Sequence, residues 1–92
     1  MLEIELDGRR MDNRAKAHAY LQQQLQLPAH YGNNLDALAD CLSELSGYDV
    51  VFIHSNAMLN ALGAYGQKML RVFQEASLGR GDFRFRADGA DR

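Results

Sequence analysis

Residues 48–54 read YDVVFIH, and that run decides the architecture. Val50, Val51, Phe52 and Ile53 follow one another without the polar alternation of a strand that has one wet face. A near-continuous apolar, β-branched run of this length predicts a strand largely covered on both faces, the kind that parallel sheets contain. On either side of this run the period changes. LEIEL, residues 2–6, alternates strictly, with Leu2, Ile4 and Leu6 on one face and Glu3 and Glu5 on the other. FRFRA, residues 83–87, alternates again, with Phe83 and Phe85 set against Arg84 and Arg86. Both read as short strands with one covered face.

The segments between these strands are helical in pattern. From Asn13 to Leu25, Ala17, Leu21 and Leu25 recur every fourth residue with Tyr20 beside them. Pro28 ends this helix, because it disfavours helical geometry at Leu27 and brings no N–H. A second helix is expected from Asn34, a good N-cap, to about Leu45. Its stripe of Leu35, Leu38, Leu42 and Leu45 faces away from Asp36, Asp40 and Ser43, and Gly47 closes it. After His54, Ser55 or Asn56 is expected to cap a short helix through Leu62, with Gly63 and Gly66 interrupting. A firmer helix follows over about 67–77, with Met69, Leu70, Val72, Phe73 and Ala76 inward and Lys68, Arg71 and Glu75 outward. Asp7-Gly8 and GRGD, residues 79–82, read as turns.

Every connection between strands contains helix, which predicts right-handed crossovers and an α/β fold: a small three-stranded parallel sheet packed with three to four helices. If the first and third strands are neighbours, Glu3 and Glu5 share a face with Arg84 and Arg86, and cross-strand charge pairing helps to set register. The 92 residues make one domain, expected over 1–87, with DGADR at 88–92 a frayed tail.

The composition excludes several classes. A net charge of −2 does not supply the concentrated basic patch that nucleic acid demands, although Arg80, Arg84 and Arg86 cluster near the C-terminus. The single cysteine, Cys41, permits no internal disulfide and no zinc spacing, which fits a reducing compartment. MLEIELDGRR is too acidic and too poor in apolar residues for a signal peptide, and no apolar run reaches membrane-spanning length. The expectation is a soluble, cytoplasmic protein.

The candidate site is LPAHYGNNLDALADCL, residues 27–42. Asp36 and Asp40 stand one helical turn apart, and like charges at that spacing cost an isolated helix a few tenths of a kcal/mol. Asp36 recovers some of this near the positive end of the helix dipole; Asp40 has less such help. No basic residue sits three or four positions from either, so they read as a solvated face or as an anionic patch awaiting a cationic partner. In the loop, Gly32 is expected to adopt a left-handed conformation or to let another backbone come close. Tyr31 reads as a core anchor or an exposed contact, and His30 as a surface residue or a partner contact. His30, Asp36 and Asp40 could in principle ligate a metal, but no closed ligand set is legible, nor any Ser/His/Asp or Cys/His arrangement, nor a phosphate loop. Cys41, beside the leucine stripe, reads as a buried, inert thiol.

The same stretch resembles the barstar family, small cytoplasmic inhibitors of bacterial extracellular ribonucleases. The shared pattern is Leu27-Pro28, Tyr31-Gly32, Asn34-Leu35-Asp36-Ala37-Leu38 and Asp40, and VFQEA, residues 72–76, matches a late-helix segment of the family. The resemblance implies a three-stranded parallel sheet and a second helix that, with the loop before it, plugs a nuclease active site. It implies that Asp40 is the principal anion in the nuclease's phosphate pocket, Asp36 a second acidic contact and Glu75 a third, with Gly32, Asn34 and His30 supplying loop contacts. Two positions depart from the best-known members: His30 stands where they carry an aromatic and Ala39 where they carry a tryptophan, which alters the contact surface. The implied partner is a bacterial ribonuclease or the ribonuclease domain of a toxin, bound without enzymatic activity, cofactor, direct nucleic-acid contact or membrane. A regulator using the same acidic face on another basic protein is the alternative.

Overall fold

The computed structural model describes residues 1–88; of the expected tail, 89–92 lie outside the described residues. The order is β1 (Leu2–Asp7), a 3-10 turn (Gly8–Arg10), α1 (Arg14–Leu25), α2 (Leu35–Glu44), β2 (Tyr48–Ile53), α3 (Ser55–Leu62), α4 (Ala64–Ser77) and β3 (Phe83–Asp88). The three strands form one parallel sheet in the order β1-β2-β3. The expected α/β architecture is therefore present, with four helices.

The strand order overturns one expectation. β1 and β3 flank β2 and are not neighbours, so Glu3 pairs in register with Asp49, and Asp49 with Arg84. The charges of the two edge strands do not meet directly. Two right-handed crossovers that advance in the same direction put both helical connections on the same face of the sheet. Burial agrees: Leu6, Val50, Phe52 and Phe83, of the inward parity, are 0% exposed, while Glu3, Glu5, Arg84 and Arg86 on the other face are exposed. Coverage of β2 is thus unequal. Val51 is buried at 6% exposure but lies outside the core that Val50 and Phe52 join, in register between Glu5 and Arg86.

The helical layer completes the core with Leu21 and Leu25 of α1, Leu38 and Leu42 of α2, and Met69 and Phe73 of α4, all fully buried. Each such side chain contributes roughly 1.5–3 kcal/mol of transfer free energy. Phe73 meets Phe52 edge-on at 6.1 Å and stacks on Phe85 at 5.2 Å, so one α4 residue packs on both the central strand and its neighbour.

Three boundaries differ from the sequence reading. β2 ends at Ile53, because His54 turns into the left-handed region (φ 51°) and itself occupies the N-cap position of α3. Neither Ser55 nor Asn56 is that cap. Gly66 does not interrupt the helices: α4 begins at Ala64 and includes it, buried against the Met58 side chain. Gly63 alone makes the break, at φ 58°. Gly47 does not close α2, which ends at Glu44 with Leu45 as its cap. At φ 81°, Gly47 turns the chain into β2, its N–H donating to Asp82 and its carbonyl accepting from Leu2, so it ties together the starts of all three strands.

Candidate functional site

The site begins where α1 stops. Gln26 takes a left-handed conformation (φ 53°), the Leu27 N–H returns to the Gln22 carbonyl, and the Gln22 side chain donates to the Pro28 carbonyl at 2.8 Å. The helix thus ends before Pro28, which the chain uses as an acceptor rather than as the breaking residue itself. The Tyr31 N–H closes a turn back onto the Pro28 carbonyl, leaving His30 exposed at its tip.

Tyr31 is the loop's anchor. It is 6% exposed, and its hydroxyl lies 2.6 Å from Nδ1 of His18 on α1. Nε2 of His18 lies 2.6 Å from the hydroxyl of Tyr65 on α4. A buried imidazole therefore joins α1, the loop and α4. Burial lowers the His18 pKa, which keeps the ring neutral. A neutral imidazole has one N–H donor and one bare acceptor nitrogen, so one tyrosine donates to it and the other accepts from it. Burial likewise raises the Tyr31 pKa, with smaller contributions from Cys41 and Tyr65.

Gly32 is not the left-handed residue of the loop; Asn33 is, at φ 56°. Nor does another backbone approach Gly32: a Cβ there would meet side-chain atoms, the Ala37 Cβ and the Asn34 Nδ2, each at 3.3 Å. Asn34 holds the loop to the helix. Its Oδ1 accepts from the Ala37 N–H at 2.8 Å, and its Nδ2 donates to the Gly32 carbonyl at 3.2 Å. One side chain thus satisfies an orphan N–H of the first turn and pins the preceding backbone.

α2 projects Asp36, Ala39 and Asp40 to solvent, while Leu38 and Leu42 are fully buried on its opposite face. Among the described residues, neither aspartate makes an ion pair or a side-chain hydrogen bond. Arg14 and Lys68 line the same shallow depression as Asp36. Arg14 is otherwise engaged, its guanidinium 4.1 Å from the centre of the Tyr65 ring. α4 packs beside α2, and Glu75, also exposed and unpaired among the described residues, shares a groove with Ala39, Ser43 and Val72. Of the residues expected from the sequence, Asn34 and Asp36 thus share one depression, Ala39 and Glu75 share another groove, and His30, Gly32 and Asp40 are exposed on the loop and α2.

Cys41 is half-buried rather than buried. Desolvation, then Asp40 and Glu44, raise its pKa and disfavour the thiolate. Among the described residues no three of His, Cys, Asp and Glu gather into a set that could hold a metal ion. His18 and Tyr65 were not singled out from the sequence. A signal for His18 existed, since His18, Leu21 and Leu25 follow the three-and-four spacing of a buried stripe.

A family model described as Barstar (barnase inhibitor) matches residues 1–88. The protein "Putative ribonuclease inhibitor YrdF" of Bacillus subtilis (strain 168) is 37% identical over 78 residues, which cover 83% of this chain and 86% of that protein.

Proposed function

Because the chain belongs to the barstar family, whose model describes a barnase inhibitor, we propose that it inhibits a ribonuclease by occluding the active site with α2 and the loop before it. The observation that carries this reading is the exposed Asp36 and Asp40, held on a rigid helix without a cationic partner among the described residues. A ribonuclease cleft must bind a phosphodiester, so it concentrates cationic side chains. Carboxylates fixed at phosphate positions imitate the substrate without being cleaved. Complementary fields then accelerate encounter and penalise wrong partners; barnase and barstar are themselves the worked example behind those rules.

In this reading Asp40 makes the principal contact, Asp36 and Glu75 support it, and His30, Gly32, Asn34 and Ala39 shape the surrounding surface. The partner is a bacterial ribonuclease or a ribonuclease toxin domain, and the protein acts in the cytoplasm of the cell it protects. The self-repulsion between Asp36 and Asp40 is relieved when a cation arrives between them.

The test is to immobilise the protein, recover what it binds from the producing cell, and assay that partner for RNA cleavage with and without the inhibitor. The expected result is a basic ribonuclease whose activity falls stoichiometrically with added wild type and survives added Asp40→Ala. A basic partner that cleaves no RNA would favour the regulatory alternative instead.

A further inference from the structure

Arg80 lies in the turn between α4 and β3, yet its guanidinium ends on α2. Nη1 donates to the Leu42 carbonyl at 2.9 Å and the Ala76 carbonyl at 3.4 Å, and Nη2 donates to the Leu45 carbonyl. Nε and Nη2 also reach the two oxygens of Asp82 at 3.0 and 3.3 Å. The group stands 5.2 Å from the centre of the Phe83 ring, with only 22% of the side chain exposed. All five N–H donors of the fork are therefore used.

The acceptors identify its role. Leu42 lies in the last turn of α2, where its carbonyl also accepts from the N–H of the cap residue Leu45, and the Leu45 carbonyl lies beyond the helix's own hydrogen bonds. α2 has no basic residue in its last turn, and it carries Asp36, Asp40 and Glu44. Its negative pole is thus unrelieved from within, and Arg80 supplies the cation from 35 residues away in sequence. The same Nη1 reaches the end of α4 through Ala76, next to Glu75.

We propose that Arg80 is the positioning residue of the acidic surface, holding the last turn of α2 to the end of α4 so that Asp40 and Glu75, on separate helices, keep one spacing. The leucine stripe of α2 resists separation from the core, but apolar contact is non-directional and allows sliding. A planar fork with fixed donors does not. The geometry stands by itself; its consequence for inhibition rests on the proposed nuclease-binding reading.

The test compares wild type, Arg80→Ala and Arg80→Lys. Spin labels at Glu44→Cys and Gln74→Cys, in a Cys41→Ala background, read the distance between α2 and α4. Wild type is expected to give one narrow distance, Arg80→Ala a broadened or shifted one, and Arg80→Lys, with fewer donors, an intermediate one. With barnase as the nuclease probe, the unlabelled Arg80→Ala chain is expected to dissociate at least about tenfold faster than wild type. Ile4→Ala, which loosens the core from β1, is expected to dissociate at the wild-type rate. An unchanged distance distribution in Arg80→Ala, or dissociation no faster than that control, overturns the proposal. If wild type leaves barnase uninhibited, the label distances alone decide the clamp, and capture of the natural partner decides the nuclease reading. If Arg80→Ala does not fold, Arg80→Lys against wild type supplies both readouts.

Discussion

Nδ1 of His18 and the hydroxyl of Tyr31 are 2.6 Å apart, and this contact fastens the loop before α2 to the body of the protein. Tyr31→Phe removes the hydroxyl and leaves a ring nitrogen buried without its partner, a loss of roughly 1–3 kcal/mol. Chemical denaturation is expected to show that cost, together with faster amide exchange across residues 30–34. Equal stability and exchange would show that the loop is held by its turn alone.

The same histidine sets a pH dependence. Its folded pKa lies below the usual 6.5, so beneath that pH the unfolded chain binds a proton that the folded chain refuses. The stabilisation from burying a neutral ring is complete above pH 6.5 and is lost as pH falls from there towards the lower folded value. A denaturation series through that window should decline more steeply for wild type than for His18→Gln. Parallel curves would place the acid sensitivity elsewhere.

Asp36→Ala and Asp40→Ala should separate stability from binding. Each removes a like-charge repulsion worth a few tenths of a kcal/mol; Asp36 also loses a favourable position at the helix N-terminus, so its net change is near zero. The thermal midpoint should therefore barely move. Binding to the nuclease should weaken by about 2–5 kcal/mol for Asp40→Ala if a desolvated cation is left behind. Calorimetry with the captured ribonuclease measures this, and wild-type affinity would remove Asp40 from the contact.

Asn34→Ala should cost about 0.5–2 kcal/mol through the lost cap on the Ala37 N–H, and it also frees the Gly32 carbonyl. Asn34→Asp keeps the accepting oxygen and should recover most of the stability but not the donor to Gly32. Urea midpoints for the two variants test the division; equal losses would mean that the tie to Gly32 dominates.

Two glycines should respond differently to alanine. A Cβ at Gly8 would overlap the His54 carbonyl oxygen and lie 2.9 Å from its carbon, both backbone atoms that cannot yield without moving the end of β2. Gly8→Ala is expected to cost roughly 3 kcal/mol or more. At Gly66 the obstruction is the Met58 sulfur at 2.5 Å, on a flexible side chain, and alanine is the better helix former. Gly66→Ala should cost less than about 1.5 kcal/mol by the same measurement. The reverse order would contradict this account of the two approaches.

Local periodicity carried much of this protein into view from its sequence: the alternation in 2–6 and 83–87, the apolar run at 50–53, the leucine stripe of α2 and the cap at Asn34. These features repeat within a few residues, so pattern reports them directly. Asp36, Asp40 and Glu75 were legible as outward-facing acids for the same reason. What pattern could not report is which distant groups meet. The crossovers placed β2, not β3, beside β1 and separated Glu3 and Glu5 from Arg84 and Arg86. Backbone closure gave the left-handed position to Asn33 rather than Gly32. Tertiary packing turned Arg80 away from the basic cluster that its neighbours suggest and onto the carbonyls of α2, and it buried His18 between two tyrosines. Those outcomes depend on the relative placement of whole helices, which hydrophobic burial drives and only directional hydrogen bonds make specific.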